Sequence, residues 1–189
     1  MRIDLHRHLE GSHSPRALLD VARRHDIRAP LFFDAAAGAF REEADLARGL
    51  VMAAPSDDAT LFYECIKAAR TAYVSVEAIG DLARHAFLDT AAETDCFELR
   101  VSLFSMARTL LENQRQSWRE VAPAAFAERA RTVLLAVLAA RDDAQRQTGK
   151  EMLVRLGLSR TFESEPHYRA LADMAREHAR ALVGLDVLG

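Results

Sequence analysis

Four short apolar runs separated by long helical stretches set the strongest limit on how this chain can fold. The first, RIDLH (residues 2–6), alternates Ile3 and Leu5 against Arg2 and Asp4 and gives way to Gly11, the period-two pattern of a strand. The others are CFELRVS (96–102), EMLVRLGLS (151–159) and LVGLDVLG (182–189). Helical spacing fills the gaps. Ser14-Pro15 offers a hydroxyl N-cap and a proline at the first helical position, with Leu18, Leu19 and Ala22 following up to about Ile27. The spacing is helical again over 59–73 and 76–94, where Ile66 and Ala69, then Ile79, Leu82 and Phe87, mark apolar faces. Ser117 and Glu120 match a capping box at the head of a long Ala- and Leu-rich helix, and Ser164-Glu165-Pro166 opens another. Residues 28–58, broken by Pro30, Gly38, Gly49 and Pro55, are expected to hold one short helix over 41–50. Strands alternating with helices are the pattern of a parallel sheet. The chain reads as a single domain, 1–189, with a helical insertion at about 28–95. Because it closes on a strand without a covering helix, it is expected to be incomplete.

Composition narrows the function classes. A formal net charge of -3 leaves no basic footprint for nucleic acid. Arginines far outnumber the two lysines, Lys67 and Lys150, but they alternate with acids and read as solvated helix faces. Cys65 and Cys96 stand apart with no C-x-x-C, which fits a reducing compartment. No run approaches the roughly 18 apolar residues of a membrane span, and the charged opening MRIDLHRHLE is no secretory core. The expectation is a cytoplasmic protein with neither nucleic-acid nor membrane partners.

The chemistry centres on His6 and His8. Residues i and i+2 of a strand share a face, about 6.6 Å apart at Cα, so the two imidazoles can converge on one ion while Arg7 points away. They stand at the C-terminal end of the first strand, where barrel enzymes place their chemistry. A catalytic zinc site takes about three protein ligands and an open position; this motif supplies two. An isolated H-x-H is commonly a pair of surface histidines. Here the strand before it, and the glycine and proline-started helix after it, add weight to the metal reading. His8-Leu9-Glu10 also opens the H-x-E signature of zinc deaminases acting on cytosine, but the P-C-x-x-C which that signature demands does not follow.

The stretch IDLHRHLEGSHSPRALLDVARRHDI (3–27) resembles the opening of the adenosine deaminase family of metal-dependent amidohydrolases. CFELRVS is similar to that family's second strand, LVGLDVLG to its fourth, and DDATLFYECIKAARTAYVSVEAI (57–79) to the helical segment over its active site. The resemblance implies a (β/α)8 TIM-type barrel, of which this chain supplies about the first four β/α units. It implies one divalent metal ion, zinc, with His6 and His8 as ligands. It places three residues against a small-molecule purine: Glu10 at the acidic position that meets the ribose, Gly189 at a backbone contact to the ring, and Phe62 in the apolar mouth. Phe62 and Gly189 have plainer readings as helix packing and a strand-ending turn, and Glu10 as a capping acid. The implied activity is hydrolytic deamination of an adenine-type purine, adenosine first. Alternatives are free adenine, a modified adenine nucleoside, or a non-catalytic half-barrel that assembles with a partner or with itself. Glutamate at position 10, where aspartate is usual, resembles relatives that act on free adenine or on other adenine-bearing compounds, which weakens the claim to adenosine specifically. The proton-transfer residues of the family come from strands five to eight, so no catalytic residue falls within this chain. The fourth strand has no lysine to bridge two metals, which favours a single ion. Ser102-Leu103 departs from the family's Ser-Pro and implies a rearranged loop there. His25, His85, His167 and His178 match nothing in the family and read as exposed helix residues.

Overall fold

The computed structural model describes residues 1–50, 59–159 and 164–188. Its frame is a four-stranded sheet in which β1 (Ile3–His8), β4 (Cys96–Val101), β5 (Glu151–Ser159) and β6 (Gly184–Leu188) lie side by side in that order. All three pairings are parallel, and β1 and β6 form the two edges. Parallel neighbours require crossover connections. Between β1 and β4 the chain runs through α1 (Pro15–Arg24), a two-stranded antiparallel ribbon of β2 (Phe33–Asp34) and β3 (Ala39–Phe40), α2 (Glu43–Leu50), α3 (Ala59–Ala69) and α4 (Val76–Glu93). α5 (Leu103–Asn113) and α6 (Pro123–Thr148) carry it from β4 to β5, and α7 (Glu165–Glu177) from β5 to β6.

The two faces of the sheet differ in kind, as the period of two requires. On one face Phe97, Leu99 and Val101 of β4 and Met152, Val154 and Leu156 of β5 are all at most 2% exposed. Buried apolar residues of α4 (Leu82, Phe87) and α6 (Val133, Leu134, Val137) belong to the same core cluster, and the Phe87 and Phe97 rings lie 6.1 Å apart. The opposite face carries charge: Glu98 and Arg100 of β4, Arg155 of β5 and Asp186 of β6. At Gly184 a Cβ would stand 3.2 Å from Arg155 Nη1, so the glycine leaves room for that guanidinium.

An aromatic cluster binds the helices together. Phe104 of α5 stacks on Tyr168 of α7 at 4.6 Å and contacts Phe126 of α6 at 5.0 Å. His167, expected to be an exposed helix residue, is part of this cluster and only 7% exposed. Its ring packs edge-on against Trp118 and Phe126, and its nitrogens bond Ser164 Oγ at 2.8 Å and the Val121 carbonyl at 2.9 Å. His25, His85 and His178 are half-buried rather than exposed.

Two helix starts that look alike in sequence differ in structure. Ser14 caps α1: its Oγ accepts the Ala17 N–H at 3.2 Å. The Ser117/Glu120 box does not form. Ser117 heads a 3-10 turn, Trp118–Glu120, without a side-chain cap, and α6 begins at Pro123. Burial of Trp118 (2% exposed) holds that turn shut, and proline, which needs no donor at the first position, starts the helix instead. At its far end α6 stops on Gly149 at φ +69°, a left-handed conformation that glycine adopts without cost. Ser14→Ala is expected to cost about 1 kcal/mol in urea unfolding, and Ser117→Ala less than about 0.5 kcal/mol; equal losses would restore Ser117 as a cap.

Candidate metal and substrate site

β1 does not run straight to its end. Asp4 pairs with Phe97 and Arg7 with Leu99, so three steps along β1 match two along β4, and the register shifts between them. The Asp4 carboxylate takes up the displaced backbone by accepting the His6 N–H at 3.1 Å, a bond that holds its carboxyl below the usual carboxylate range. Bulges of this kind re-aim side chains. The His6 and His8 rings stand 5.8 Å apart, tilted by 57°. Arg7 departs toward α4, donating to Asp4 at 2.9 Å, Thr90 at 3.3 Å and Glu93 at 3.2 Å.

The charged face of the sheet meets this pair. Arg100 Nη1 donates to His6 Nε2 at 3.4 Å and lies 2.7 Å from Asp186 Oδ2. Glu98, 5% exposed, accepts two bonds from Arg155, at 2.6 and 2.8 Å, the fork-to-carboxylate geometry that arginine favours. Arg100 thus joins His6 to a sheet face that carries two cations and two anions.

Glu10 sits in the 3-10 turn after β1 (Leu9–Gly11), 3% exposed. Its Oε1 accepts the Ser102 N–H at 3.0 Å and lies 3.8 Å from Arg70 Nη2; Oε2 has no hydrogen-bond partner among the described residues. Glu10 lines a cavity of about 480 Å³ together with Ser12, His13, Leu50, Ile66 and Ala69. Arg7, Asp89 and Glu93 line the same cavity, which therefore lies on the α4 side of β1, toward which Arg7 departs.

The donor chemistry suits a borderline ion such as zinc. Burial pushes the His8 imidazole below its ordinary range, against the opposing pull of Glu10 and with the help of Arg100, which keeps a lone pair free for coordination. The fit is that of a two-nitrogen arm. Among the described residues no group of three or more His, Cys, Asp or Glu could hold an ion.

Comparison with known proteins decides the family. The adenosine deaminase family model matches residues 2–189. The chain belongs to the adenosine deaminase family. No curated protein matches the sequence. Among solved structures, the chain is similar over its whole length to an adenine deaminase from Arthrobacter aurescens (TM-score 0.67, 15% identity, 48% of that chain). It is likewise similar over its whole length to an amidohydrolase from Burkholderia ambifaria with bound zinc (TM-score 0.63, 15% identity, 44% of that chain). At this identity the likeness is one of fold, and this member of the adenosine deaminase family spans about half the length of either protein.

Of the sequence-predicted site residues, the fold brings His6, His8 and Glu10 to the end of one strand and its turn. Phe62 belongs to α3, but its side chain lies outside the described residues, as does Gly189. Reading the sequence missed His13. Its Nε2 shares a 2.7 Å hydrogen bond with the Tyr73 hydroxyl, joining the turn after β1 to the end of the α3 segment. His13 is among the residues lining the cavity, and its Nδ1 is enclosed without a partner among the described residues. No local signal marks this pair, because 60 residues separate its members.

His13 gives the site a pH signature. Burial first, then the positive charge of Arg70, holds its pKa at about 3 against 6.5 for a free imidazole. Between those values the unfolded chain binds more protons than the folded one, so stability is full above pH 6.5 and falls as pH falls. The loss from pH 6.5 to 5 is expected to be about 2 kcal/mol. Replacing both partners, His13→Leu with Tyr73→Phe, avoids stranding either group and should flatten the dependence of Tm on pH across that interval. An unchanged slope would assign the effect to another group.

Proposed function

We propose that this chain is the N-terminal half of a (β/α)8-barrel hydrolase that deaminates an adenine-type purine, adenosine in the leading reading, with one divalent ion. The observation that carries the proposal is the pair of imidazoles 5.8 Å apart at the end of the first strand, in a chain that the adenosine deaminase model matches from residue 2 to 189. His6 and His8 are assigned to the ion, and zinc is among the ions that imidazole donors suit. When bound, such an ion supplies the Lewis acidity that makes a water nucleophilic near neutral pH. This chain's own part is to orient two ligands and to hold the substrate. Glu10 is assigned to accept a hydrogen bond from the substrate, the Gly189 backbone to the purine ring, and Phe62 to the apolar mouth. The groups that move protons belong to the other half of the barrel.

A second reading, free adenine as substrate, draws support from the Arthrobacter neighbour, itself an adenine deaminase, and from Glu10, whose extra methylene relative to aspartate shortens the space left for a sugar. The third, a half-barrel that assembles without catalysis, draws support from the sheet edges: Ile3 and Leu5 on β1 and Leu185 on β6 are about half exposed, and bare edges invite self-association. We place the protein in the cytoplasm on the strength of its two free thiols, Cys65 and Cys96. Among the described residues no helix is long and apolar enough to cross a membrane.

Zinc titration of the 189-residue chain is expected to show binding that His6→Ala or His8→Ala abolishes, with no ammonia released from adenosine or adenine. Zinc binding indifferent to both substitutions, or ammonia release by the chain alone, would overturn the proposal. In an active assembly Glu10→Asp should shift the adenosine-to-adenine ratio of kcat/KM by about tenfold or more without changing metal content; a constant ratio would remove Glu10 from the substrate site.

A further inference from the structure

We propose that Arg100 competes with a metal ion for His6: its guanidinium holds an imidazole nitrogen that an ion would take, and ion binding breaks that contact while the shorter ion pair with Asp186 stays. This rests on the reading of His6 and His8 as a metal-binding arm. Arginine has donors only, so the 3.4 Å contact between Arg100 Nη1 and His6 Nε2 directs the imidazole lone pair at the guanidinium. One lone pair cannot serve a guanidinium and a metal at once. A like charge held a few ångströms from a divalent cation also weakens its binding directly.

Arg100 has a second and shorter contact. The same Nη1 is 2.7 Å from Asp186 Oδ2, and Nε lies 3.9 Å from Glu98 Oε1. Glu98 is already engaged by Nε and Nη2 of Arg155, which leaves Asp186 as the carboxylate that keeps Arg100 once the His6 contact breaks. With its side chain only 17% exposed, Arg100 has little access to water, so displacement from His6 is a short move within the sheet face. Arg100 is therefore a positioning residue that sets how tightly the histidine pair takes an ion.

The test is zinc affinity, measured on the 189-residue chain by competition with a chromophoric chelator, with circular dichroism as the check on folding. Arg100→Met is expected to bind zinc about tenfold more tightly than wild type, while Arg100→Lys, which keeps the charge, should stay within about threefold of it. Should the methionine variant fail to fold, Arg100→Gln, which keeps an amide donor for Asp186, carries the same expectation. Neutral variants that bind zinc no more tightly than wild type, while His6→Ala still abolishes binding, overturn this inference and leave the metal arm standing. Absence of zinc binding from wild type and neutral variants alike overturns the metal arm and this inference with it.

Discussion

The parallel pairing of β4 with its neighbours is the constraint on which the rest of the molecule depends. A strand buried between two others must send alternate side chains to opposite faces, and β4 does so with unusual contrast: Phe97, Leu99 and Val101 to the helices, Glu98 and Arg100 to the other side. The apolar set holds α4 and α6 in place. The charged set needs partners, since a buried charge without one is costly, and it finds them on β5 and β6 in Arg155 and Asp186. The sheet therefore fixes its helical layer and its polar layer through one strand. The histidines join the polar layer because His8 pairs with Arg100 across the ladder.

The same alternation explains why the bulge in β1 matters. Asp4 and Arg7 lie across from Phe97 and Leu99, on the helix side, although an unbroken strand would send residues 4 and 7 to opposite faces. One extra residue reconciles them, and Asp4 closes the irregularity by bonding the His6 backbone. Arg7 can then anchor to α4 through Thr90 and Glu93 while His6 and His8 keep their rings together.

Much of this frame was legible from local pattern. The four strands follow from short apolar runs, and Ser14-Pro15 marks a helix start whose cap is made within three residues. The H-x-H spacing led to the site for the same reason. What escaped depends on contacts between distant residues. α5 follows β4 after Ser102 alone, so no turn signal announces it. Ser117 and Glu120 have the spacing of a cap, but tertiary burial of Trp118 decides the backbone there. His167 looks like any polar helix residue until Trp118, and Phe126 of α6, enclose it, and the Arg100–Asp186 pair joins positions 86 residues apart in the chain.

Trp118 is the single tryptophan of this chain. It sits edge-on to Phe104 at 5.2 Å and to His167 at 5.4 Å, with the Arg119 guanidinium 4.6 Å from its ring centre. Its surroundings belong to the helical layer, on the far side of the sheet from the histidine pair. The protein thus carries a built-in optical probe that watches the scaffold and not the site. Its emission follows the coming apart of α5, α6 and α7, while resonances of His6 and His8 follow events on the opposite face. Because each signal is confined to one face, their divergence during unfolding would measure how far the two layers of the sheet are energetically joined.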